Sequence, residues 1–419
     1  MTTPSPEPAK SLPDNPDLRH LKDEARDLLR SGGAQKLSEA QFRTARAYGF
    51  ASWPRLKAHV DSLGRAGQLK AAIDANDLAA VQDLMTRYPD LHRAPLGYGK
   101  DGPLTWAAEC RVPRVAPGPD RLAIARWMLE NGSDVHQGGD GPLMRAALDD
   151  DRIAMMELLV SFGADVNAQW HDFYPIVCAP CETLAPGALR WLLAHGADPN
   201  QVSSKYGSPL SMVIGTYSRR PGGKHACLQA FIEAGFTLPD TPAMAFHRGR
   251  IDLLEAWLDR EPSLLDRTLS TAEIFPPDLG LGPTDGLHLT PISGVTLLHL
   301  AIEYDEMEIA RLLLGRGANV DARAEVDADG FGGHTALFHA VVSLGRRDAE
   351  KAHLLLEHGA DPNARATLRK QLVHMGDPEL ERMHEFHGVT PIGYARRFQV
   401  QDWSSEPAIA AIAAAGGAE

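Results

Sequence analysis

The residues best able to do chemistry in this chain are a cysteine pair, a cluster of glutamate and histidines, and four basic side chains near the C-terminal end. Cys178-x-x-Cys181 places two sulfurs one helical turn apart, where they could share a metal ion or a disulfide. A structural zinc centre needs about four ligands. No second close pair exists, and His171 is the nearby imidazole in sequence, so small core residues are the simpler reading. Glu381-x-x-His384-x-x-His387, with His374 upstream, would align a carboxylate and two imidazoles on consecutive turns of a helix. Metal sites on helices usually draw on several of them, so the pattern describes a solvated helix at least as well. Arg369, Lys370, Arg396 and Arg397 could converge into an anion site or remain ordinary solvated charges.

Other patterns exclude themselves. Gly97-x-Gly99-x-x-Gly102 spells the dinucleotide fingerprint and precedes a helix, but no buried strand and no crossover unit accompany it. Asp327-x-Asp329 with Gly332 begins like a calcium loop, yet Phe331 and Phe338 stand where the third ligand and closing glutamate belong. Neither G-x-S-x-G nor the phosphate-loop pattern occurs. The expectation is no catalytic residue, no metal ligand and no cofactor.

The whole chain narrows the classes further. Of its 419 residues 55 are acidic and 42 basic, a formal charge of −13, which argues against phosphate-tracking and anionic-membrane surfaces. With 44% hydrophobic residues a packed core is possible along most of the length. Four cysteines are too few for a disulfide framework and suit a reducing compartment. The opening "MTTPSPEPAKSLPDNP" has no apolar core, and no apolar run of about 18 residues follows. A cytoplasmic protein is expected, with residues 1–13 a disordered tail.

Residues 14–64 read as a helical module. Asn15 caps, Pro16 fits the first turn, Leu18, Leu21, Ala25 and Leu28 form a stripe, and Gly32 and Gly33 end it. Ser38-x-x-Gln41 suggests a capping box for a second helix through Phe42 and Ala45, with Gly49 as its exit. Ser52 starts a third, carrying Leu56, Val60 and Leu63. The run "AQFRTARAYGFASWPRLKAHV", residues 40–60, resembles a short module found at the front of bacterial ankyrin-repeat proteins, with its AQ, AR, GF, SWP and LK pieces in order. Its expected role is to cover the apolar face of the first repeat.

Residues 65–419 repeat. "LLAHGADPN" at 192–200 returns as "LLEHGADPN" at 355–363, and looser copies begin at Gly132, Gly163 and Gly317. Gly132, Gly163 and Gly196 stand 31 and 33 residues apart. Fragments such as "GVTLLHLAIE" at Gly294 and "GHTALFHAVV" at Gly333 precede such stops. Together they resemble the ankyrin repeat, a turn, two helices and a projecting finger. The resemblance implies an all-α ankyrin-repeat solenoid of about nine units: 68–98, 99–137, 138–170, 171–204, 205–239, 240–290, 291–330, 331–386 and 387–419. Units one and six depart in a shared way, ending "RYPDLHR" and "REPSLLDR", as duplication of half the array would explain.

Three adjacent units carry long fingers, 269–293, 323–333 and 365–387, and long loops in a compact array are often functional. The last, with "TLRKQL", is similar to the end of a bacterial ankyrin subfamily. The resemblance implies a non-catalytic protein-binding scaffold using the concave face and finger loops. By that resemblance the partner-binding positions are Val295, Glu303, Tyr304, His334, Val342, Ser343, Val389, Arg397 and Phe398, and Arg369, Lys370 and Arg396 join them as basic spots on an acidic protein. The alternative is an enzyme or a small-ligand or anion-binding protein with its site beneath the fingers of 269–398.

Overall fold

The computed structural model describes residues 10–13, 16–96, 98–110, 115–280, 288–372 and 377–419; Asn15, Gly97 and His374 lie outside them. It forms two compact units, one of residues 1–146 with 154–165, the other of 147–153 with 166–419. Among the described residues no helix is long and apolar enough to cross a membrane.

The first unit opens with the helix Leu18–Arg30, which starts later than Pro16 because the Asp17 side chain accepts a hydrogen bond from Arg19 N. The second helix, Leu37–Ala47, also departs from expectation. It begins one residue ahead of Ser38 with Lys36 at the cap, so the Ser38 and Gln41 box does not form, and Glu39 reaches back to accept from Gln35 N at 2.9 Å. Leu21, Ala45, Leu56 and Val60 then make a small core between the three front helices.

The third helix, Trp53–Asp74, runs for 22 residues and supplies the first helix of the opening repeat. The expected boundary between 64 and 65 falls inside it, so the backbone has no joint there. Apolar residues recur on its buried side from Leu56 through Leu69 and Ile73, and nothing in that stretch breaks the ladder.

From there the predicted helix pairs follow in order, among them Pro103–Glu109 with Pro119–Glu130, Pro209–Gly215 with Pro221–Glu233, Leu297–Glu303 with Met307–Gly315, and Pro391–Arg397 with Glu406–Ala414. Proline opens many of them, since its fixed φ suits the first turn and its missing N–H has no partner there to lose. The stop is left-handed: φ is +88° at Gly196 and +86° at Gly359. The motif's last residue ties one repeat to the next. Asn167 donates to Gly196 O and accepts from Asp198 N; Asn363 does the same with Gly416 O and Ala418 N.

The fingers contain the strands. Gln169–Trp170 (β1) pairs antiparallel with Tyr174–Pro175 (β2), turning through His171 and Asp172, both with positive φ. Ala366–Lys370 (β3) pairs with His384–Val389 (β4). The helix expected across 381–387 is therefore replaced: only the single turn Pro378–Glu381 is helical, and His384 and His387 sit on β4. Leu368, opposite Phe386, is buried with it, which is what alternate apolar residues on a strand achieve.

Candidate functional site

Nine of the twelve positions expected to meet a partner are buried: Val295, Glu303, Tyr304, His334, Val342, Ser343, Lys370, Val389 and Phe398, none more than 4% exposed. Arg396 and Arg397 reach solvent and Arg369 partly does. In this conformation the nine cannot form an exposed recognition face. Residues 288–292, the end of the long finger 269–293, contact Tyr304, His334, Phe338 and Tyr394 of repeats seven to nine. The four basic residues do not make an anion site either. Arg369 pairs with Asp327 at 2.7 Å and Asp329 at 3.0 Å, Arg396 with Glu406, and Lys370 is buried.

Around Tyr304 lies a buried charged core. Glu303, the last residue of its helix, receives Arg219 Nη2 at 2.7 Å on one carboxylate oxygen and faces His339 Nδ1 at 2.8 Å on the other. Two residues on, Asp305 accepts from Lys351 Nζ at 2.7 Å and from Arg346 N at 2.9 Å. Glu306 lies 3.4 Å from Lys224 Nζ and 2.8 Å from His225 Nε2. Between them the Tyr304 ring has Arg219 at 4.7 Å and Lys224 at 4.2 Å from its centre, and its hydroxyl is 2.6 Å from His288 Nε2.

The electrostatics follow from this packing. Burial would raise the Glu303 carboxyl, but Arg219 and His339 hold it below its ordinary range. Burial pushes the Lys224 ammonium down against the pull of Glu306, and pushes the Tyr304 hydroxyl up. The same loss of water lowers His299 to about 3 and holds His247 and His334 well below the usual imidazole value. These charges are closely matched and, His225 apart, sealed from solvent.

The cysteine pair is equally sealed. Cys178 and Cys181 lie on the short helix Cys178–Thr183, fully buried, with the Cys178 thiol raised to about 12 by burial. A thiol so raised is a poor nucleophile.

An aromatic cluster on the fingers, outside the positions expected above, does reach solvent. β1, β2 and the next finger gather Trp170, Phe173, Tyr174 and Tyr206, with ring centres 5.8 to 6.3 Å apart. Lys205 lies over Tyr206 at 5.0 Å and over Phe173 at 5.8 Å. Tyr206 is 41% exposed and the neighbouring Val202 58%. Tyr174 Oη donates to Glu182 at 2.6 Å, anchoring the cluster to the helix below. The signal was in the text: "QWHDFY", residues 169–174, packs three aromatic residues into a short finger of a chain that is 6% aromatic.

Helix pairs stopped by a left-handed glycine, stitched through asparagine and bearing projecting fingers, define the all-α repeat solenoid class. The comparisons specify the repeat: an ankyrin-repeat family model matches residues 138–171, and a model of three ankyrin-repeat copies matches 278–366. The chain thus carries ankyrin repeats, units that generally mediate protein–protein interaction. No curated protein matches it.

Proposed function

We propose that the protein is a non-catalytic protein-binding scaffold and that its fingers, rather than the buried first-helix positions, carry recognition. The observation behind this reading is the aromatic cluster in which half-buried Trp170 and Phe173 support exposed Tyr206, beside Lys205 and exposed Val202. Tyrosine and tryptophan present large, rigid, amphipathic contact area, and binding energy concentrates on such residues. The C-terminal fingers offer a second contact surface around Phe331, whose ring is stacked by Arg369 at 4.7 Å and flanked by His387 at 5.8 Å.

The test is photo-cross-linking in native-host lysate from a probe placed at residue 202. A stoichiometric protein partner is expected there. It should disappear when Trp170, Phe173 and Tyr206 are all replaced by serine in a chain whose circular dichroism and thermal midpoint match the parent. Retention of the partner by that folded variant would remove the aromatic cluster from the recognition surface.

A further inference from the structure

A short stretch at the end of the long finger 269–293 contacts repeats seven, eight and nine in turn. Residues 288–292 are non-helical, and His288, Leu289, Thr290 and Ile292 are each at most 2% exposed. Their contacts step along three consecutive repeats. In repeat seven, Tyr304 Oη lies 2.6 Å from His288 Nε2. In repeat eight, His334 Nε2 lies 3.0 Å from the Pro291 carbonyl, and Thr290 Oγ1 donates to the Phe338 carbonyl at 3.5 Å. In repeat nine, Tyr394 Oη donates to the Leu289 carbonyl at 2.7 Å. Tyr304, Phe338 and Tyr394 are all buried beneath the segment.

We propose that this face is a peptide-binding groove and that residues 288–292 are its intramolecular ligand. Two of the four hydrogen bonds go to the segment's own main-chain carbonyls, of Leu289 and Pro291, groups that any peptide possesses, while Leu289 and Ile292 supply buried apolar side chains. Recognition of backbone with alternate side chains in pockets is a general way to hold a non-helical peptide. The charged groups beneath are already neutralised, Glu303 by Arg219 and Asp305 by Lys351. The groove therefore favours an uncharged segment of the type Leu-Thr-Pro-Ile and disfavours an acidic or basic one, whose charge would be buried unpaired. An external peptide of this kind binds only when the chain's own segment has left. This proposal is independent of the finger-tip reading and survives its failure.

The test supplies the segment in trans. A full-length chain with His288→Gly, Leu289→Ser, Thr290→Gly and Ile292→Ser leaves the groove unfilled. The synthetic nonapeptide GLHLTPISG, the sequence of residues 286–294, should bind that chain saturably and raise its thermal midpoint. It should leave the parent unchanged, and a peptide with both apolar residues replaced by serine should do nothing. Failure of the folded variant to bind the nonapeptide overturns the proposal.

Hydrogen exchange on the parent gives a second readout that needs no altered groove. Amides of 288–292 are expected to exchange as a separate unit, faster than those of Leu297–Glu303, and Tyr394→Phe should accelerate them about fivefold more by removing one buried hydrogen bond. Exchange of the segment only together with that helix, in both chains, overturns the proposal as well.

Discussion

Glu303 shows how much one side chain decides here. Both its carboxylate oxygens are engaged, and the side chains of its partners Arg219 and His339 are fully buried. Glu303→Gln keeps the shape and deletes the carboxylate charge that the buried Arg219 guanidinium faces at 2.7 Å. Removing one partner of a buried ion pair costs about 3–5 kcal/mol, to be measured by urea unfolding. Replacing Arg219 by Met as well should recover part of it, because the cation that faced Glu303 is then gone; a double variant no more stable than the single would refute the pairing. The glycine stops make a cleaner comparison. A Cβ at Gly196 or at Gly64 meets nothing within 4 Å, but only Gly196 has a positive φ. Gly196→Ala should therefore destabilise by about 1–2 kcal/mol, while Gly64→Ala, inside the long helix, should stabilise by about 0.5–1 kcal/mol.

Among the elements, the helix Trp53–Asp74 carries the sharpest consequence. Because it serves the front module through Leu56 and Val60 and the first repeat through Leu69 and Ile73, the two are not separable at residue 65. A chain beginning at residue 65 retains about ten residues of that helix, below the length that holds without tertiary support. It should lose about 5 °C or more in thermal midpoint against a chain beginning at residue 52. Equal midpoints would mean that the repeat array does not depend on the front half of the helix. The helix pairs and their left-handed stops were legible because glycine, proline and apolar period act locally. The capping box at Ser38 and the helix across 381–387 were misread for the opposite reason. A one-residue shift of the helix start removed Ser38 from its cap, and pairing with β3 made a strand of residues that alone carry a helical spacing.

At the scale of the molecule, the second unit buries imidazoles that must stay neutral. His299 is lowered to about 3 from a model-compound value of 6.5, and His247 and His334 are also lowered. With the folded value below the unfolded one, the unfolded chain binds the extra protons. Stability is complete above pH 6.5 and is lost as pH falls from there through about 3. Each such group can contribute a slope of roughly 1.4 kcal/mol per pH unit inside that window. The urea midpoint should be flat above about pH 7 and fall steadily below about pH 6.5; a midpoint unchanged down to about pH 4.5 would contradict the burial of these rings. The sequence by itself determined the repeat, the positions of its stops and the absence of any familiar catalytic motif, because those depend on residue type and local spacing. Only the tertiary structure decided which surface is open. Residues 288–292 reach Phe338 and Tyr394 of repeats eight and nine, up to 105 positions away, and the ion pair between Arg219 and Glu303 joins residues 84 apart. Contacts of that range arise from packing, which no local spacing encodes.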